Sequence, residues 1–267
     1  YHIVDLKNPE TKPCPTRLTM FAPELKGETC RGDINMIWAV ATYKSIGADP
    51  LQYEKATVLS PVQTAADIRP RKRSRVNRMI DHRRSNTNVA ALFVADPFLV
   101  PYFYDSQRNI VLERAKGTTR QAASWVMFTE ILDANDQKGK IGVHVSHDNL
   151  ATFSFKGIVI EEPWHLSFPY VVPYKNEFYM TTSGTSGIES EPYFLWLYKA
   201  AKYPYTWERF KLILDGQTGS APVDPAIVSH NGVYYLFTRD MSMNEGEGME
   251  RLFYNKNGLY EGIYTEH

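Results

Sequence analysis

Two carboxylates in this 267-residue chain occupy the same place in a repeated phrase, Asp96 in ADPFLVPYFY and Asp224 in VDPAIVSHNGVYYLF. A third copy, SFPYVVPYKNEFYM, sets Ser167-Phe168 where the others carry Asp. Residues at one position of a repeated unit converge when the units close around an axis. Paired carboxylates across such a pocket are what glycosidic chemistry requires, one as base or nucleophile and one as acid. Glu130, ending the strand that pairs with that of Asp96, offers a third carboxylate. The roles that follow are Asp96 as base or nucleophile, Glu130 or another carboxylate as acid, and Asp224 as orienting group. His165 lies just before the repeated step of its unit and can bind a sugar hydroxyl or tune a carboxylate. Trp164, Tyr170 and Trp125 present flat apolar faces of the kind that sugar rings stack on. Each of these has a structural reading as well: Asp-Pro is ordinary turn chemistry, and aromatic residues and histidines often belong to cores.

The elements that position these residues read as strands. Alternating apolar residues run into Lys175-Asn176-Glu177 and into His230-Asn231-Gly232, each followed by an aromatic strand, which is a hairpin pattern. An outer strand recurs beyond each hairpin, as Tyr53 with Val58-Leu59, Phe153 with Ile158-Val159 and Trp207 with Leu212-Ile213. The last two outer strands lie 54 residues apart, close to the 56 between Pro169 and Pro225. A four-stranded antiparallel unit repeated at one period predicts an all-β chain with the blades of a β-propeller, with a β-sandwich as the alternative. Residues 1–33 read as an irregular lead-in, the first clear strand as Ile34 to Ala41, and the propeller as residues 34–267. Insertions are expected at about 61–88 and 102–121, the first of them rich in arginine between Arg69 and Arg84. That basic stretch reads as a solvated loop, a patch for phosphate or sulfate on a glycan, or a localisation signal.

Composition narrows the function. Lys plus Arg equals Asp plus Glu at 30 each, and the cations are not interleaved with aromatics, so no nucleic-acid partner is expected. No glycine-rich phosphate loop and no His-x-x-x-His is present, which leaves nucleotide-binding and metalloprotease readings without their residues. No apolar run reaches the roughly 18 residues of a membrane span, and a start at Tyr1 without a signal peptide reads as a mature or trimmed form. Cys14 and Cys30 are the whole cysteine complement, open to a disulfide or to two separate thiols. No cofactor is called for, though a single Ca²⁺ held at the channel by Asp96 and Asp224 is compatible with the carboxylates.

The stretches FVADPFLV, WVMFTEIL, GKIGVHVSHDNLATFSFKGIVIEEPWHLSFPYVV and VDPAIVSHNGVYYLF resemble the N-terminal propeller domain of glucosamine inositolphosphorylceramide transferases, with EPWHLSFPYV the most specific piece. The match runs from Val89 to His267. Where the family usually has a Pro-Glu step, this chain has Thr181-Thr182-Ser183-Gly184, and the family domain runs on past GLYEGIYTEH, so the last blade is expected to be incomplete. That domain is in turn similar to five-bladed propeller glycosidases acting on arabinans, xylans and fructans. The resemblance implies five blades and a carbohydrate-active pocket that performs glycosyl hydrolysis or transfer on a glycan or glycolipid. It equally implies a non-catalytic glycan-binding domain joined to a glycosyltransferase domain outside this chain, in the Golgi lumen or extracellular space; a propeller serving only as an interaction platform is a third reading.

Overall fold

The computed structural model describes residues 40–44, 57–63, 65–68, 89–104, 110–111, 124–148, 150–185, 193–215, 221–243 and 248–267. Strands β1 (Val40–Lys44) and β2 (Thr57–Gln63) form a two-stranded sheet. The next sheet holds β3 (Ala91–Tyr104), β4 (Ile110–Val111), β5 (Ser124–Asp133), β6 (Lys138–Ser146) and β7 (Ser154–Ile160), in the order β4-β3-β5-β6-β7. Two four-stranded sheets follow in simple meander order. They are β8 (His165–Tyr174), β9 (Glu177–Thr185), β10 (Phe194–Lys202), β11 (Thr206–Asp215), then β12 (Pro222–His230), β13 (Val233–Asp240), β14 (Met249–Asn255), β15 (Thr265–Glu266). All pairings are antiparallel.

The two predicted hairpins form at the predicted turns. Lys175 and Asn176 (φ 49° and 62°) join Tyr174 to Glu177, and Asn231 and Gly232 (φ 49° and 78°) join His230 to Val233. Two successive positive φ values give the turn whose twist matches that of the strands it links. The predicted outer strands are also present: β2 carries Val58-Leu59, while β7 and β11 are the edges of their sheets.

The sheets pack face against face. Val126, Phe128, Ile141 and Val143 of one sheet meet Leu166, Met180 and Tyr198 of the next. Tyr179, Leu195 and Leu197 then meet Ile227, Leu236 and Phe253 of the last. Val40 and Ile68 cover Val94, Met127 and Ile131 on the other side of the first large sheet. Removing such side chains from water stabilises the stack by about 1.5–3 kcal/mol each. First strands adjoin one another, β3 on β8 and β8 on β12. Sheets stacked about a shared row of first strands are the blades of a β-propeller. The described residues hold three such blades and the two-stranded sheet; the expected fifth blade is not among them. The far face of the last blade leaves Val228 and Phe237 exposed.

The inner strands begin close to the repeated step, β3 at Ala91, β8 at His165 and β12 at Pro222. At the edges of the two expected insertions the described residues join the sheets or the core. β2 runs to Gln63 and Ile68 is buried beyond it, while β3 continues to Tyr104, Tyr102 is buried and β4 pairs with β3. Glu130 lies inside β5, which runs on to Asp133, and is only 5% exposed. The lead-in 1–33, the strand residues before Val40, Arg69 to Arg84, and both cysteines lie outside the described residues.

Candidate functional site

Each blade's first strand carries the same bulge, and the repeated phrase encodes it. The ladder slips between Ala95 and Phe98, between Ser167 and Tyr170, and between Val223 and Ala226. Two residues on the first strand therefore oppose one on the second: Asp96-Pro97, Phe168-Pro169 and Asp224-Pro225 face Thr129, Thr182 and Thr238, all three buried. The first residue of each pair has positive φ, 49°, 49° and 54°. Proline is tolerated there because a bulge releases it from the ladder. A phenylalanine in this region is unusual for its bulk, whereas aspartate enters it more readily. Three strained residues at one level of three adjoining strands mark the place where side chains are aimed.

The bulges are stitched across blades. The Phe168 N–H donates to Oδ2 of Asp96 at 3.3 Å, and the Asp224 N–H donates to Oγ of Ser183 at 2.7 Å. Glu130 sits opposite Ala95 on β5, with its charge beside Asp96. Its Oε1 lies 3.0 Å from Nε2 of His165. The other imidazole nitrogen, Nδ1, accepts the Gly139 N–H at 3.0 Å. A Cβ on residue 139 would lie 2.2 Å from the Leu166 carbonyl oxygen and 2.9 Å from the imidazole, so the approach demands glycine. Asp96, Glu130 and His165 thus lie together, with Asp224 close enough for its charge to act on Asp96.

Electrostatics distinguish the three acids. Asp96 is raised to about 7 by lost hydration first, then by the charge of Glu130 and by that of Asp224. The Phe168 N–H opposes the rise. Asp224 keeps an exposed edge but is also raised, chiefly by hydration lost on the blade side, with Arg239 pulling it back and Glu130 and Glu250 adding to it.

The aromatic residues separate. Tyr170 packs its ring 4.6 Å from Phe98, and the two stand at equivalent places, directly after their bulges. Trp164 is half-buried and stacks on the Arg209 guanidinium at 4.8 Å, which also lies 5.0 Å over Trp196 and bonds Glu162. Trp125 is not brought to the acids: it stands five residues before Glu130 on β5, on the opposite face of the strand. Of the Glu161-Glu162 pair, Glu161 is exposed and bonded to Lys140.

Sequence reading missed Phe98, Ser183 and Arg239. The last two stand where Glu130 stands in its own blade, one residue past the buried threonine. The recurrence of Thr one residue before each of them was the available signal. Among the described residues no group of three or more His, Cys, Asp or Glu is placed to hold a metal ion. Asp96 and Asp224 supply fewer ligands than the six to eight oxygens Ca²⁺ takes, so an ion there would need water or ligand hydroxyls to complete its shell.

The fold and site define a β-propeller with an acid-lined mouth. Residues 30–267 match the family described as glucosamine inositolphosphorylceramide transferase 1, N-terminal, and the chain belongs to that family. It is 29% identical over 250 residues to glucosamine inositolphosphorylceramide transferase 1 of Oryza sativa subsp. japonica, covering 92% of this chain and 28% of the relative. It is 32% identical over 181 residues to the Arabidopsis thaliana protein of the same name, covering 68% of this chain and 19% of the relative. The chain therefore spans under a third of the length of these relatives. A levansucrase of B. megaterium superposes with a TM-score of 0.57 over 86% of this chain and 61% of its own, at 9% identity, a likeness of fold.

Proposed function

We propose that the domain engages a glycan at the mouth formed by Asp96, Glu130 and Asp224 and acts there in glycosyl hydrolysis or transfer. The observation that carries this reading is a carboxyl, Asp96, raised to about 7 beside a second carboxylate and within the field of a third. Glycosidic bond cleavage needs an acid still protonated near neutral pH and a separate carboxylate to act as base or nucleophile. On this reading the roles expected from sequence are exchanged: Asp96 is the proton donor, Asp224 the base or nucleophile with Arg239 favouring its ionised form, and Glu130 a neighbouring charge that favours the protonated form of Asp96. The names of the relatives point to a glycolipid headgroup as the saccharide presented.

A second reading is a glycan-binding domain that presents the acceptor to a transferase domain elsewhere in a longer protein. Phe168 favours it, since this apolar ring occupies the bulge position that carries Asp in the flanking blades. One experiment separates the two. Asp96→Asn and Asp224→Asn variants are titrated with neutral and acidic oligosaccharides and assayed for release or transfer of sugar. Loss of turnover by several orders of magnitude supports chemistry at this site, while a loss of about 0.5–3 kcal/mol in affinity alone supports binding. Unchanged affinity and activity in both variants removes the pocket from consideration.

A further inference from the structure

On the reading that the carboxylate mouth is the functional site, we propose that the ring of Phe168 is the platform on which an uncharged sugar lays its C–H face, with Asp96 and Asp224 meeting its hydroxyls from either side. The bulge residue is the place where each first strand leaves the ladder, and in the three blades it holds nearly the same backbone, φ 49°, 49° and 54°. The middle bulge therefore aims its side chain as the flanking two aim theirs. Aspartate enters this conformation readily, whereas a bulky ring does so only under strain. Asp96 uses its side chain to link blades, accepting the Phe168 N–H at Oδ2, 3.3 Å away. Phe168 has no atom with which to do the same for the next blade, and there the Asp224 N–H goes to Oγ of Ser183 at 2.7 Å. Ser183 stands opposite Ser167, the residue before the bulge, as Glu130 stands opposite Ala95. The link that Phe168 cannot make is thus supplied by the strand beside it, and the ring is not what joins the two blades.

Nor does the ring serve the core. Phe168 is half-buried, and among the described residues it joins none of the three hydrophobic clusters and pairs with no other aromatic ring. The packing between its blade and the one before is supplied immediately past the bulges by Phe98 and Tyr170, whose rings lie 4.6 Å apart. A strained aromatic residue that neither packs nor links is explained by what it presents to a ligand. A flat ring between two carboxyl-bearing bulges matches a sugar, which has an apolar C–H face and a rim of hydroxyl donors. The same carboxylates oppose a sugar that carries an acid of its own.

The test titrates the full chain by calorimetry with neutral oligosaccharides and with oligosaccharides bearing uronic acids. Phe168→Tyr keeps the flat face, Phe168→Leu keeps apolar bulk without it, and Phe168→Asn suits the positive φ. The Leu and Asn variants should bind neutral oligosaccharides about three- to tenfold more weakly, and the Tyr variant within about twofold of the unmodified protein. Without ligand, Phe168→Asn should unfold at the same temperature as the unmodified protein or higher, a result that a packing role for the ring would reverse. Unchanged affinity in the Leu and Asn variants, a lower unfolding temperature in the Asn variant, or tighter binding of the acidic sugars each overturns the inference. Ring ¹H–¹³C resonances of phenylalanine-labelled protein give a check that needs no altered ligand site. The Phe168 signal, assigned by its absence from the Leu variant, should shift when a neutral oligosaccharide is added, and a signal that stays in place overturns the inference. The platform alone fails if Asp96→Asn and Asp224→Asn weaken binding while the Phe168 variants do not. The acid-mouth reading alone fails if the Phe168 variants weaken binding while the two Asn variants of the acids bind unchanged.

Discussion

Replacing Asp96 by Asn should make the protein more stable at alkaline pH and leave it nearly unchanged in acid. In the unfolded chain the carboxyl ionises near 3.8, and in the folded protein near 7. Between those values the folded state holds one proton more than the unfolded state, so stability falls as pH rises through that window. Below 3.8 both states are protonated and nothing is lost; above 7 both are ionised and the whole penalty stands. Just over three pH units at about 1.4 kcal/mol each gives about 4 kcal/mol. Asp96 is half-buried rather than sealed, so solvent screening reduces the expected gain to about 2 kcal/mol. Asn keeps an oxygen for the Phe168 N–H and offers Glu130 an N–H, so no group is stranded. For a chain of this size the gain corresponds to a rise in Tm of roughly 4–8 °C. Calorimetry of both proteins at pH 4, 6 and 8 measures it. A Tm difference that is the same at all three, or a variant less stable at pH 8, refutes the reasoning.

His144 is fully buried, its Nε2 2.9 Å from the Thr129 hydroxyl, and burial holds it down to about 3. Stability should therefore fall as pH drops below about 6.5, by up to about 1.4 kcal/mol per unit. In His144→Leu the urea midpoint should lose much of this acid slope, and an unchanged slope counts against it. Gly139→Ala drives a Cβ to 2.2 Å from a backbone oxygen and should cost about 1–3 kcal/mol through overpacking. Gly232→Ala meets nothing within 4 Å and should cost about 1 kcal/mol from its φ of 78° alone. Thermal unfolding that ranks these two in the opposite order contradicts the account. Phe128→Ala empties a site with no exposure at the junction of two blades and should cost about 3–5 kcal/mol, read as a lower denaturant midpoint at constant slope.

The blades were legible because their period is short and their hairpins announce themselves. Lys175-Asn176 and Asn231-Gly232 turn where the alternation breaks, and the repeated step recurs at one level of three adjoining strands. What the sequence could not show was the bulge. Asp-Pro has the same appearance at a strand start and within a bulge, and only the ladder tells which rung carries the extra residue. The rise of Asp96 was hidden for a related reason: it depends on how much water the carboxyl loses and on the charges of Glu130 and Asp224, which only the fold brings beside it. Trp125 failed because an aromatic residue near the end of a strand carries no mark of which face it joins until register is fixed.

The repeated bulge divides labour between backbone and side chain. Proline, the left-handed residue before it and the threonine opposite form a socket whose shape is the same in three blades, while the side chain it holds is Asp, Phe and Asp in turn. Residues in such sockets can change without disturbing the strands around them, so a ring of blades can be rekeyed one position at a time. Phe168→Asp would add a carboxylate to the mouth and replace the bulkiest occupant with one better suited to positive φ. The same scaffold can thus change the charge and shape of its mouth through substitutions at the socket, with the core beneath left as it is.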